Sequence, residues 1–274
     1  MRINSSPDTL SRACGEPGRD LFSAPPERLK LGDDEVHIWR CDLDQSVSVR
    51  QCLISTLAQE ERERAERFYF NKDRNHFTVA RGALRSILGH YLNLNPAALR
   101  FSYGEYGKPM LVKEQGGESL RFNLSHSAGL ALCGVTRGRE IGIDLESIRP
   151  GLSDEAIAER FFSTGEVRAL RELPRHLQDE GFFNCWTRKE AYIKAKGEGL
   201  SMPLSDFEVS LAPGQAAALL STKRDPQEAA RWLIRELFPA PGFVGAVAVE
   251  AGDWRLGCFE WSGRLLHATS DGDA

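Results

Sequence analysis

Polar and apolar residues first fall into a regular order at Val36. From there Val36, Ile38 and Arg40 alternate with His37, Trp39 and Cys41, and this period of two predicts a strand that Asp42 and Asp44 terminate. His37 is expected on its outer surface. The period then lengthens to that of a helix: Ser55 to Arg67 carries mixed charges around Leu57, Ala58 and Ala65, and His76 to Leu92 carries a stripe through Phe77, Ala80, Leu84, Ile87, Leu88 and Tyr91. Asn95-Pro96 breaks the second helix, a short strand follows around Leu99 to Tyr103, and Gly104 to Pro109 forms a loop. Phe122 with Leu124, and Leu130, Leu132 and Val135, predict two strands; Arg137 to Glu140 turns into a third, Ile141 to Glu146. Ser153 is placed to cap a helix over Asp154 to Phe161, and Ser163 with Glu166 three residues on reads as a capping box opening a helix to Leu173. A helix from about Gly181 to Lys196 ends at Gly197, and Phe207 to Leu211, Gly242 to Glu250 and Trp254 to Trp261 read as strands.

Composition narrows the class. The 274 residues suffice for one large domain or two moderate ones, and 41% hydrophobic with 27% charged residues is the balance of a soluble globular chain. Thirty-five Lys and Arg against 39 Asp and Glu leave a net charge of -4, so broad attraction to nucleic acid or to an anionic membrane is not expected. An anion site must be local. With no apolar run of membrane-spanning length and no secretory signal, the expected address is the cytoplasm. The six cysteines are scattered singly, which supports neither a disulfide framework nor a structural zinc. Residues 1–34, rich in Ser, Pro, Gly, Asp and Arg, read as a flexible extension, and 266–274 as a frayed tail. One internal likeness stands out: Glu66-Arg67-Phe68-Tyr69 recurs as Glu159-Arg160-Phe161-Phe162, which two related α+β halves would explain.

Four segments carry candidate chemistry. In Ile141-Gly142-Ile143-Asp144-Leu145-Glu146, strand geometry sends Asp144 and Glu146 to the same side about 7 Å apart. Two carboxylates on one side suit a hard cation such as Mg2+; they equally fit a solvent-facing edge. In Cys185 to Lys194, Trp186, Glu190 and Lys194 lie four apart on one helical stripe, which makes Glu190 a third oxygen ligand with Lys194 as a phosphate-binding cation, or else a plain surface ion pair. Phe122-Asn123-Leu124-Ser125-His126-Ser127 places Ser125 and His126 near a strand end as phosphate donors or as ordinary polar residues. Glu105-Tyr106-Gly107-Lys108-Pro109 is a turn whose Lys108 has the reach for a phosphate.

Taken in order, Glu105 to Pro109, Phe122 to Ser127, Gly142 to Glu146, Phe161-Phe162-Ser163 with Glu166, and Trp186-Thr187-Arg188-Lys189-Glu190-Ala191 resemble the Sfp-type 4'-phosphopantetheinyl transferases. The resemblance spans roughly Val36 to Trp261. It implies an α+β pseudodimer of two similar halves, 35–140 and 141–265, each a small antiparallel sheet packed on helices, with coenzyme A in the cleft between them. Asp144, Glu146 and Glu190 then match Mg2+ carboxylates, with Glu166 a further carboxylate of the family motifs. Lys194 and His126 match phosphate contacts, Lys108 and Ser125 further coenzyme contacts, and Arg64 a basic position near the nucleotide 3'-phosphate. The implied reaction moves the phosphopantetheine arm of coenzyme A to a serine of an apo acyl or peptidyl carrier protein docking between Arg149 and Phe162. The implied state is a monomer, with neither nucleic acid nor membrane as partner. Two other classes fit the same acids: a Mg-dependent phosphohydrolase, and a non-catalytic module binding coenzyme A or a carrier.

Overall fold

The computed structural model describes residues 22–27, 29–117, 119–149, 151 and 155–263. The expected cap Ser153 with Asp154, the first 21 residues and the tail 266–274 lie outside the described residues. The chain forms β1 (Glu35–Asp42), α1 (Val47–Ile54), α2 (Gln59–Glu66), α3 (Asn71–Leu92), β2 (Phe101–Tyr103), β3 (Pro109–Leu111), β4 (Leu120–Ser127) and β5 (Leu130–Arg137). There follow β6 (Ile141–Ser147), α4 (Glu155–Phe161), α5 (Thr164–Glu172), α6 (Arg175–Lys196), β7 (Phe207–Val209), β8 (Leu219–Thr222), β9 (Trp232–Leu237), β10 (Phe243–Glu250) and β11 (Arg255–Glu260).

One plan occurs twice. A strand, short helices, a 22-residue helix, a two-stranded hairpin and two further strands make up each half, and the long helices α3 and α6 occupy the same place in the order. The sheets repeat it, with β1-β5-β4 in the first half and β6-β10-β9 in the second. The molecule is an α+β pseudodimer. The first sheet covers α3 through Trp39, Leu84, Ile87 and Phe122, and the second covers α6 through Ala191, Ile193, Ala246 and Ala248. A third cluster, including Ile38, Leu132, Ile143 and Val247, joins the two sheets.

Four expectations change. The helix expected over 55–67 is shorter: Ser55 Oγ donating to Cys52 O and Thr56 Oγ1 to Leu53 O close a separate, unexpected helix, α1, and α2 opens only at Gln59, where Glu61 accepts the Ala58 N–H. His37 is buried, not on a surface. Residues 22–27 and 29–34 are not a loose extension: Phe22 and Leu31 are buried, and Ser23 bridges to Phe259. Finally β11, expected with the second half, pairs parallel to β1 and completes the first sheet.

Candidate active site

β4 and β6 belong to different sheets, and side chains make the seam between them. Asn123, Ser125 and Ser127 alternate onto one side of β4. Asn123 Oδ1 accepts the Ile143 N–H at 2.9 Å, Ser125 Oγ donates to Asp144 Oδ1 at 2.8 Å, and Ser127 Oγ donates to Glu146 Oε2 at 2.9 Å. Asp144 and Glu146 therefore stand on one side of β6, as their spacing predicts. From α6, Lys194 brings Nζ to 2.5 Å from Asp144 Oδ1 and donates to Ser125 Oγ at 3.1 Å. Glu190 lies one turn earlier.

The charges in this cluster act on each other. Burial raises the pKa of Glu190, the charge of Asp144 adds to the rise, Lys194 opposes it, and Glu146 adds again. Glu146 is raised by burial, with Ser127 opposing and Asp144 reinforcing. Three acids and one ammonium share a neighbourhood between the halves. Asp144 Oδ2 is buried with no hydrogen-bond partner among the described residues. An unpaired carboxylate oxygen out of water is unfavourable, and three mutually repelling acids favour a cation; an all-oxygen set suits a hard divalent ion. Among the described residues no three His, Cys, Asp or Glu side chains are yet grouped to hold a metal. Lys194 supplies the positive charge on Asp144 instead.

His126 is exposed on β4. Its pKa is lowered by partial desolvation, then by Lys194 and by His76. His76 itself holds Asp44, Nε2 to Oδ1 at 2.9 Å. The sequence links His76 to none of these groups, and with its partner 32 positions away in the loop between β1 and α1 no periodic signal points to it.

Three other candidates lie elsewhere. Glu166 is not brought to the cluster: Oε2 accepts the Ser163 N–H at 2.8 Å, Oε1 accepts the Val209 N–H at 2.8 Å, and buried Lys189 pairs with it at 2.8 Å. Lys108 directs its ammonium to protein acceptors: Glu140 Oε2 at 2.9 Å, Ala195 O at 2.9 Å and Ile141 O at 3.2 Å. Arg64 stands over the Phe77 ring at 5.4 Å, in the wall of a depression of about 600 Å3 that Arg67, Phe68, Arg81 and Tyr103 also line. Where a carrier was expected to dock, Phe162 is buried and Phe161 sets its ring edge-on to Trp186.

Residues 44–135 match the family described as 4'-phosphopantetheinyl transferase, N-terminal, and residues 140–248 the 4'-phosphopantetheinyl transferase superfamily. The chain is 46% identical to the 4'-phosphopantetheinyl transferase HetI of Nostoc sp., over 84% of its own length and 94% of that protein's. It is 35% identical to the 4'-phosphopantetheinyl transferase Sfp of Bacillus subtilis over 63% of its length and 75% of Sfp's. The solved holo-acyl-carrier-protein synthase of Thermotoga maritima overlaps 42% of this chain and 64% of its own at 24% identity, with a TM-score of 0.34. With a family match falling on each structural half and HetI similar over nearly its full length, the chain belongs to the Sfp-type 4'-phosphopantetheinyl transferase family and is an enzyme of that class.

Proposed function

We propose that the chain transfers the 4'-phosphopantetheine arm of coenzyme A to a serine hydroxyl of an apo acyl or peptidyl carrier protein and releases 3',5'-adenosine bisphosphate. The observation that carries this reading is the acid cluster at the seam, with the unpartnered oxygen of Asp144 at its centre. Asp144, Glu146 and Glu190 would hold Mg2+, which when bound neutralises charge on the diphosphate. The chain's own groups do the rest. Glu190, or a water held beside it, takes the proton of the attacking serine hydroxyl. The serine oxygen bonds to the β-phosphorus as the bond from that phosphorus to the bridging oxygen breaks, and the electron pair leaves with the adenosine bisphosphate. Lys194 and His126 meet the negative charge that gathers on the phosphate oxygens, and Ser125 holds Asp144 and Lys194 in place. Arg64, beside Phe68 and Phe77 in its depression, suits the nucleotide end.

Mixing the protein with Mg2+, coenzyme A and an apo carrier is expected to yield a carrier heavier by one phosphopantetheine arm in intact mass. Asp144→Ala and Glu190→Ala are each expected to abolish the shift in a folded protein. Hydrolysis of coenzyme A without carrier modification would favour the phosphohydrolase class, and binding without any reaction a non-catalytic module.

A further inference from the structure

Lys108 belongs to the first half, yet its side chain reaches into the second. It ends the loop from β2 to β3, where Gly104 N–H donates to Lys108 O at 3.0 Å and Gly107 N–H to Gly104 O at 2.9 Å. An ammonium has three protons, and Ala195 O, Ile141 O and the Glu140 carboxylate accept all three. Ala195 lies in the last turn of α6, where carbonyls lack partners within the helix and a cation meets the negative end of the helix dipole. Ile141 is the first residue of β6. One side chain thus ties the end of the helix bearing Glu190 and Lys194 to the start of the strand bearing Asp144 and Glu146.

The surroundings hold this tie in place. Glu140 is fixed from both sides, its Oε1 accepting from Arg121 Nε at 2.8 Å and its backbone N–H donating to Glu250 Oε2 at 2.8 Å. The Lys108 side chain is only 13% exposed, and burial lowers its pKa while Glu140 works against the fall. Strand and helix already touch at Gly142, where a Cβ would fall 2.0 Å from Ala191 O. The loop also rests on the helix end: Cβ atoms on Gly197 and Gly199 would lie 3.4 Å from Lys108 Cδ and 3.0 Å from Tyr106 Cβ.

We propose that Lys108 is a positioning residue that caps α6 from the opposite half, sets the separation of Glu190 and Lys194 from Asp144 and Glu146, and holds no coenzyme phosphate itself. The role rests on the transfer reaction proposed above. To grip a phosphate the ammonium would have to give up at least one of these three acceptors.

Lys108→Met, Lys108→Arg and Glu140→Gln, assayed with coenzyme A and Mg2+ varied separately, test the proposal. Lys108→Met and Glu140→Gln are each expected to lower kcat about tenfold and to raise the Mg2+ concentration for half-maximal rate several-fold, with KM for coenzyme A within about twofold of wild type. Lys108→Arg, which keeps a donor for the helix end, is expected to recover part of kcat. Without metal or coenzyme, amide exchange in the last turn of α6 is expected to quicken in Lys108→Met. A tenfold rise in KM for coenzyme A with kcat and Mg2+ dependence unchanged would make Lys108 a phosphate contact and overturn the proposal. So would a loss of thermal stability with unaltered kinetics in the folded protein. If the wild-type protein transfers nothing, the reading of function fails, and the exchange measurement still decides whether Lys108 holds α6.

Discussion

His37 shows how far a single side chain can depart from its sequence pattern. Alternation identified β1 correctly, but β1 lies between β11 and β5 and is covered on both faces, by α3 on one and the second sheet on the other, so the period of two has no solvent side to report. The buried ring is held by a chain of donors. Glu35 Oε2 lies 3.5 Å from Nε2 and favours the proton there, which leaves Nδ1 to accept from the Tyr91 hydroxyl at 2.7 Å, while that hydroxyl oxygen accepts from Trp39 Nε1 at 2.9 Å. Burial raises the pKa of Tyr91, which keeps it a donor, and lowers that of His37 from 6.5 despite the opposing pull of Glu35. The folded protein therefore binds this proton less tightly than the unfolded chain. Stability from the group is complete above 6.5 and is lost as pH falls through that value toward the lower folded one. Denaturation midpoints are expected to drop between about pH 7 and about pH 5.5 in the wild type and to drop less in His37→Gln. Parallel slopes in the two proteins would show that His37 contributes nothing to the acid limb.

Helix ends were legible where a side chain caps them. The spacing of Ser163 and Glu166 predicts a capping box, and both reciprocal bonds are present at the start of α5. The family likeness also made Glu166 a candidate for catalysis, and here packing decides. Glu166 is the counter-ion of Lys189, whose fully buried ammonium also donates to Leu204 O and Phe207 O, so the pair joins α5, α6 and β7. Removing one partner of a buried pair leaves the other charge uncompensated, typically at about 3–5 kcal/mol. Glu166→Gln is expected to lose stability of that order by chemical denaturation while the molecules still folded keep wild-type kcat. A stable but inactive Glu166→Gln would return the residue to the chemistry. Less legible were the elements that tertiary contact supports. In α1 only Leu53 is buried, so there is no stripe to find, and β3 has three residues, too short for a period to show. β8 follows Pro213-Gly214 and β9 follows a stretch with Pro226, and in β9 the apolar Leu233 faces solvent.

The two-fold plan is visible in the two long helices, whereas the four-residue echo falls on non-equivalent elements, the ends of α2 and α4, and the contacts that join the halves leave no trace in the sequence. The D-x-E spacing and the Trp186-Glu190-Lys194 stripe each state what shares a side of one element; neither states what that side meets. β6 is an edge strand of its sheet, and an edge exposes unpaired N–H groups. The first half supplies the acceptors: Asn123 Oδ1 takes the Ile143 N–H at 2.9 Å and Ser127 Oγ the Ser147 N–H at 3.3 Å. The serines of the Asn123-Ser125-Ser127 row also orient the two acids of β6, so the bond from Asn123 fixes at once the docking of the halves and the height of Asp144 beside Ser125. Asn123→Ala strands a buried N–H, a loss of about 1–3 kcal/mol in stability, and frees β6 to move against β4. Its kcat for carrier modification is expected to fall well beyond any change in KM for coenzyme A, because the displaced groups are those proposed to react and Arg64 lies elsewhere. Asn123→Asp keeps an acceptor in the same place and is expected to restore most of the stability lost in Asn123→Ala. If Asn123→Ala matched the wild type in both denaturation midpoint and kcat, the side-chain seam would not be what aligns the two halves.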